Sequence, residues 1–221
     1  MRPDRIVIPW QKVTTEYPFT LAELEIDLAK TALLIVDLTN VSLGGNVSSL
    51  RNNPHVMPNN IRLLEFFRQR GLGVLFCAFG SLLPDARDRY LKSRLSWMRP
   101  SLTAPTLLPV KGSGAYQVRD ELKPLPSEPV IDKNCQGAFN GTSIETYLLA
   151  GGVQNLVVTG MATSHCVEAT ARDAADHGYN VILVDDACAD PDRRKHDMTM
   201  QTFGRMFGAV KSTDEVIKCL S

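Results

Sequence analysis

The feature that most constrains this chain is an alternation of short, nearly unbroken apolar runs with segments of helical periodicity. Ala32-Leu-Leu-Ile-Val36 and Val74-Leu-Phe-Cys-Ala-Phe79 carry no polar residue on either face, which marks strands buried on both sides. Between them, Ile61, Leu64 and Phe67 recur at helical spacing from about Asn59 to Arg70, and Gly71 follows as the residue suited to a left-handed helix end. The pattern continues through a helical segment over Asp85–Met98, with Tyr90, Leu91 and Leu95. It then enters a Pro- and Gly-rich stretch over 100–129, where residues 117–122 form at most a helical turn. Order returns with a strand at 129–133 and a helix to Gly151 opened by Thr142-Ser-Ile-Glu145, a capping-box spacing. A strand at 155–159, a helix at 165–177 and a strand at 180–185 follow. The chain closes with a helix at 194–207, a strand at 209–211 and a last helix begun by Ser212-Thr-Asp-Glu215.

Six doubly buried strands joined by helices predict an α/β fold, a three-layer α/β/α sandwich around a parallel sheet. The first 30 residues stand outside the alternation and are expected to form an arm carrying Trp10, Tyr17 and Phe19, with residues 31–221 a single domain. The chain has 221 residues, 44% hydrophobic and 22% charged, enough apolar side chain for a full core. No apolar run approaches the ~18 residues of a membrane span, and the N-terminus is too short in apolar residues for a signal peptide, so a cytoplasmic protein is expected. Twenty-four basic residues balance 24 acidic ones, which argues against nucleic acid or an anionic membrane as partner.

In open α/β sheets the ligand crevice lies beyond the carboxyl ends of the strands. The residues there are Asp37, then Gly80-Ser81, Lys133, and Gly160-Met-Ala-Thr-Ser-His-Cys166. A carboxylate, an ammonium and a thiol share one rim. No G-x-G-x-x-G cradle is present, so dinucleotide binding is disfavoured. The five cysteines, 77, 135, 166, 188 and 219, lack metal-type spacing. Cys166 is distinguished by its place in the first turn of a helix, where the dipole is expected to lower its pKa and favour the nucleophilic thiolate. Cys77 and Cys219 read as packing residues; Cys135 and Cys188 lie in loops that could approach the rim. Taken singly, an Asp at a strand end caps a loop and a Lys there is solvated. His55, His177 and His196 are expected at the surface, and the arginines 87, 89, 94 and 99 on a solvated helix.

Three segments carry a resemblance: Ala32-Leu-Leu-Ile-Val-Asp37-Leu-Thr-Asn40, Asp132-Lys133-Asn-Cys-Gln-Gly-Ala-Phe139-Asn-Gly-Thr142 and Val158-Thr-Gly-Met-Ala-Thr-Ser-His-Cys166-Val-Glu-Ala-Thr-Ala-Arg-Asp173. In order and spacing they resemble the isochorismatase-like cysteine hydrolases, the family of nicotinamidases, N-carbamoylsarcosine amidases, and ureidoacrylate and biuret hydrolases. The resemblance implies strand order 3-2-1-4-5-6 and an Asp-Lys-Cys triad at Asp37, Lys133 and Cys166. It also implies a cis peptide from Met161 to Ala162, with the Ala162 and Cys166 amides forming an oxyanion hole. Asn40, Phe139, Met161 and His165 become candidates for substrate contact. The implied activity is hydrolysis of a C–N bond in a small carboxamide or carbamoyl/ureido compound, without cofactor, by a homo-oligomer, a dimer or tetramer.

The departures narrow this expectation. Thr39 stands where many relatives have Gln, and Val41-Ser-Leu43 lacks the usual aromatic. Gly80-Ser-Leu-Leu-Pro-Asp85 contains no His, so no metal and no nicotinamidase activity are expected. Retention of the cysteine disfavours vinyl-ether cleavage. The alternatives from other classes are a non-catalytic ligand-binding or subunit-partner protein on the same fold, and a thiol redox protein using Cys135 or Cys188.

Overall fold

The computed structural model describes residues 5–9, 23–40, 50–85, 88 and 109–221. Trp10, Tyr17 and Phe19, the 41–43 stretch, the four arginines and, apart from Asp85 and Asp88, the helix expected over 85–98 lie outside these residues. Two strands, β1 (Arg5–Pro9) and β2 (Glu23–Asp27), pair antiparallel as a separate ribbon, and β1 lies against the C-terminal helix.

The main sheet has six parallel strands: β3 (Thr31–Val36), β4 (Gly73–Phe79), β5 (Val130–Lys133), β6 (Asn155–Met161), β7 (Asn180–Ala189) and β8 (Ala209–Lys211). Their spatial order is β5-β4-β3-β6-β7-β8. Counted from the first strand of this sheet that is 3-2-1-4-5-6; the antiparallel ribbon merely displaces the chain numbering by two. The helices are α1 (Val56–Gln69), α2 (Ile144–Ala150), α3 (Glu168–Asp176), α4 (Arg193–Met206) and α5 (Thr213–Cys219). None is long and apolar enough to cross a membrane among the described residues.

β3 is central and buried along its whole length, and its side chains divide by the two-residue period of a strand. Leu33 and Ile35 join Leu63, Phe67 and Val216 in the core on the α1/α5 face. Ala32, Leu34 and Val36 join Leu148, Ala171 and Phe203 in the core on the α2/α3/α4 face. Two cores on one sheet explain why the strand sequences lack polar alternation. The reversal of strand order between β3 and β6 opens the crevice at their carboxyl ends.

Local details depart from the sequence reading at three places. α1 begins at Val56 rather than near Asn59, because Pro58 in the first turn removes only an N–H that has no helical partner. β7 runs four residues past Asp185, with a register shift against β6 between Val158 and Gly160. Its two acidic residues are tolerated because each is partnered: Asp185 Oδ1 faces His196 Nε2 at 2.9 Å, and Asp186 Oδ1 accepts from the Thr213 amide at 2.7 Å and hydroxyl at 2.8 Å. The capping box expected at Thr142–Glu145 does not form. Thr142 Oγ1 donates to the Ala138 carbonyl and accepts from the Ile144 amide, so it closes the preceding loop instead. A full capping box opens α5, between Ser212 and Glu215.

β3 and β6 meet at Gly160, whose φ of 121° lies outside the range of L side chains. A Cβ there would stand 2.0 Å from the Val36 carbonyl oxygen. Gly160→Ala is therefore expected to lower stability by about 3 kcal/mol or more, read from urea unfolding midpoints, with the far end of the sheet unaffected in hydrogen exchange. An unchanged midpoint would contradict the close approach.

Candidate active site

Each rim residue is set by the end of a strand. Asp37 follows β3 directly, in a left-handed conformation with φ 55°, and its amide donates to Cys77 O at 3.1 Å. That turn aims the side chain back over the sheet rather than along the strand. Lys133 is the last residue of β5, paired in register with Phe79 of β4. Its side chain is fully buried and Asp37 is 6% exposed, with Lys133 Nζ 2.7 Å from Asp37 Oδ2. The contact is an ion pair more than a directed hydrogen bond, since neither Asp37 oxygen has a well-aligned donor. The ammonium spends its protons on the carbonyls of Cys135 and Gln136, each at 3.1 Å, and lies 4.9 Å from the centre of the Phe79 ring. Burial opposes the Lys133 charge, yet Asp37 and the nearby sulfurs outweigh it and hold the ammonium above its ordinary range.

Cys166 is not in the first turn of a regular α-helix. Residues Thr163–Val167 form a single π-helical turn between β6 and α3, with the Val167 amide reaching back to Ala162 O at 3.2 Å. The Met161–Ala162 peptide is cis. Such wide turns recur at functional sites. Cys166 is 8% exposed, and its Sγ donates to Gln136 Oε1 at 3.1 Å. The expected lowering of its pKa is overturned: burial, and then the Asp37 carboxylate, push the thiol up, with Lys133 offsetting only part. In the resting protein the sulfur keeps its proton.

The turn is pinned from β7 and α4 by residues that sequence reasoning missed. Asp190 Oδ2 accepts from the Ser164 amide at 2.8 Å and hydroxyl at 2.7 Å. His196, expected at the surface, is 4% exposed and bonded at both ring nitrogens. Its Nε2 lies 2.9 Å from Asp185 Oδ1 and its Nδ1 lies 2.9 Å from the Thr163 hydroxyl oxygen. Its place at helical spacing on the inner face of α4, beside Thr199, Met200 and Phe203, was the available signal. Asp88 is a third missed residue: it accepts from Ser81 Oγ, the Leu82 amide and Asn134 Nδ2, joining the loops after β4 and β5.

Asp37, Lys133 and Cys166 are thus brought together, and the candidate contact residues are not. Met161 packs in the core on the α1/α5 face with Leu38 and Val184, whereas Cys166 belongs to the opposite face. Phe139 stacks on His177 at 4.9 Å and touches Tyr179, at the far end of α3 and so roughly 13 Å down the helix. Asn40 is exposed, its Nδ2 donating to Gly114 O at 3.3 Å and its amide to Gln117 O. His165 is exposed. His177 and His55 lie at the surface as expected. Cys77 is buried in β4, Cys188 in β7, and Cys135 donates to the Gly137 and Asn140 carbonyls. No group of three or more His, Cys, Asp or Glu that could hold a metal occurs among the described residues.

Fold and rim together place the chain among α/β-sandwich cysteine hydrolases. The Isochorismatase domain model matches residues 31–215, and the chain belongs to the isochorismatase family. It is 31% identical over 203 residues to ureidoacrylate amidohydrolase RutB of Pseudomonas savastanoi pv. phaseolicola, covering 84% of this chain and 82% of the relative. It is 28% identical to the N-carbamoylsarcosine amidase of Arthrobacter, covering 86% of this chain and 71% of that one. A cysteine hydrolase from Pseudomonas syringae pv. phaseolicola shares the fold with a TM-score of 0.76 at 23% identity, covering 88% of this chain and 94% of that one.

The electrostatics predict opposite shifts for the two charged partners. Alkylation of Cys166 by iodoacetamide, followed by mass spectrometry across pH, should rise only above the free-thiol range near pH ~8.5. Asp37→Asn should move that midpoint down and Lys133→Met should move it up. Lys133→Met should also cost about 3–5 kcal/mol in urea unfolding, because it strands a buried carboxylate. The raised thiol pKa adds stability that is complete below the free-thiol range and declines as pH rises through it.

Proposed function

We propose that the protein is a cysteine amidohydrolase that cleaves a C–N bond of a small carbamoyl, ureido or carboxamide compound, with Cys166 as nucleophile, Asp37 as general base and acid, and Lys133 as electrostatic support. The observation that carries the reading is the protonated Cys166 thiol set beside a buried carboxylate whose oxygens have no directed donor. A neutral thiol needs a base at the moment of attack, and Asp37 has lone pairs to serve.

In this reading the Sγ–H proton passes to Asp37 as the sulfur attacks the carbonyl carbon. The oxyanion that develops is met by the backbone N–H groups of Ala162 and Cys166 at the head of the π-turn. Asp37 then gives its proton to the departing nitrogen, and ammonia or an amine leaves a thioester on Cys166. Water, its proton taken by the same carboxylate, attacks the thioester and frees the acid and the thiol. Lys133, 2.7 Å from Asp37 Oδ2, lends electrostatic support to the carboxylate between these transfers. The substrate class is supported by similarity to a ureidoacrylate amidohydrolase and an N-carbamoylsarcosine amidase. The same reading treats residues 31–221 as the catalytic domain, with the first 30 residues an arm suited to a second subunit.

Ammonia release from N-carbamoyl amino acids, ureidoacrylate analogues, biuret and simple carboxamides tests this. The wild type is expected to turn over a carbamoyl member of that panel without added metal. Cys166→Ala and Asp37→Asn should each lose on the order of 10³-fold or more in kcat while circular dichroism is unchanged. Turnover retained by Cys166→Ala would remove the assignment.

A further inference from the structure

The Cys166 thiol has a hydrogen-bond acceptor besides the ion pair. Gln136 Oε1 accepts from Cys166 Sγ at 3.1 Å. The side chain is partly exposed while it contacts the buried Cys166. Its backbone is fixed from both sides. Lys133 Nζ donates to the Gln136 carbonyl at 3.1 Å. The next residues dock on α3: a Cβ at Gly137 would stand 2.2 Å from Asp173 Oδ2, and the Ala138 amide donates to Thr170 Oγ1 at 3.1 Å. A loop so anchored holds a carboxamide in place over the thiol.

A carboxamide oxygen accepts equally from an S–H and from an amide N–H, and the N–H is the better donor. Resting on the amidohydrolase reading above, we propose that Gln136 Oε1 is the group that reads the substrate's amide N–H. In the resting protein it is occupied by the thiol proton. When a primary carboxamide or carbamoyl group enters, its N–H takes over Oε1 and the Sγ–H turns to Asp37. One acceptor thereby couples recognition of an unsubstituted amide nitrogen to activation of the nucleophile, and fully N-substituted amides are rejected because they leave the thiol proton where it was.

The probe is a pair of alkylating agents with the same electrophilic carbon, iodoacetamide and N,N-dimethyl-iodoacetamide, of which only the first carries an N–H. Rates at Cys166 are followed by mass spectrometry on the full-length protein and compared with the same ratio for glutathione. The wild type should favour iodoacetamide by about 10-fold beyond glutathione. Gln136→Met, similar in length but without the amide acceptor, should bring the ratio to that of glutathione and lower the pH midpoint by about half to one unit, since a bond to the neutral thiol is lost. Gln136→Glu keeps an acceptor and adds a negative charge, so it should keep the preference and raise the midpoint. General loosening of the loop would move both variants the same way. A wild-type ratio in Gln136→Met, or midpoints that do not separate in opposite directions, overturns the proposal. Because alkylation needs no turnover, this outcome is independent of whether Cys166→Ala loses amidase activity.

Discussion

The Asp37–Lys133 ion pair is the constraint around which the rest of the site is arranged. Two opposite charges stand 2.7 Å apart with almost no solvent. Removing both from water is unfavourable, and a buried pair is tolerated only when its remaining protons and lone pairs are partnered. Lys133 meets that condition by donating to two consecutive loop carbonyls, Cys135 and Gln136. Asp37 does not, and its oxygens remain without directed donors. The cation gives two of its three protons to loop carbonyls and stands 2.7 Å from the anion, which is how the loop after β5 and the turn after β3 are held together.

Backbone geometry makes that arrangement available. Asp37 reaches the pair from a left-handed turn straight after β3, and the close approach of Gly160 to Val36 brings β6 against it with no side chain between. The π-turn beyond Gly160 then carries Cys166, and its other flank is tied to β7 and α4 through Asp190 and through the Asp185–His196–Thr163 chain. Cys166 is thus positioned from two sides of the crevice, β3 with β5 on one side and β7 with α4 on the other. Hydrogen bonds to Ser164 and Thr163 fix the turn without touching the sulfur, which leaves the sulfur's own polar contacts to the reacting groups.

Much of this was legible in the sequence, for identifiable reasons. The sandwich follows from unbroken apolar runs, because burial on both faces leaves no place for polar alternation, and Gly71 marks the end of α1 through its positive φ of 65°. Asp37, Lys133 and Cys166 each sit within a residue or a turn of a strand end, which put them on one rim, and the resemblance of three segments singled them out as a triad. The errors have a common physical origin in partners distant in sequence. Thr142 gives its proton to a carbonyl four residues back and takes the Ile144 amide, so the reciprocal box with Glu145 does not form. His196 is buried because Asp185, eleven residues away, and Thr163, 33 residues away, meet both its nitrogens. Phe139 and Met161 carry apolar side chains that the local spacing could not assign to one face or one end of α3.

The thiol is the most informative of these errors. A helix N-terminus lowers a thiol pKa through a partial positive charge, but that effect amounts to about half an elementary charge at a wide turn. Here it competes with near-complete burial and with a full negative charge on Asp37, and Lys133 is already committed to that carboxylate. The larger charges at shorter range win, and the sulfur stays neutral. A neutral thiol is a slow target for oxidants and adventitious electrophiles. In the proposed reaction its attack then requires transfer of the thiol proton to Asp37, and the same carboxylate returns a proton to the leaving nitrogen, so activation of the sulfur and departure of the nitrogen would be served by one group.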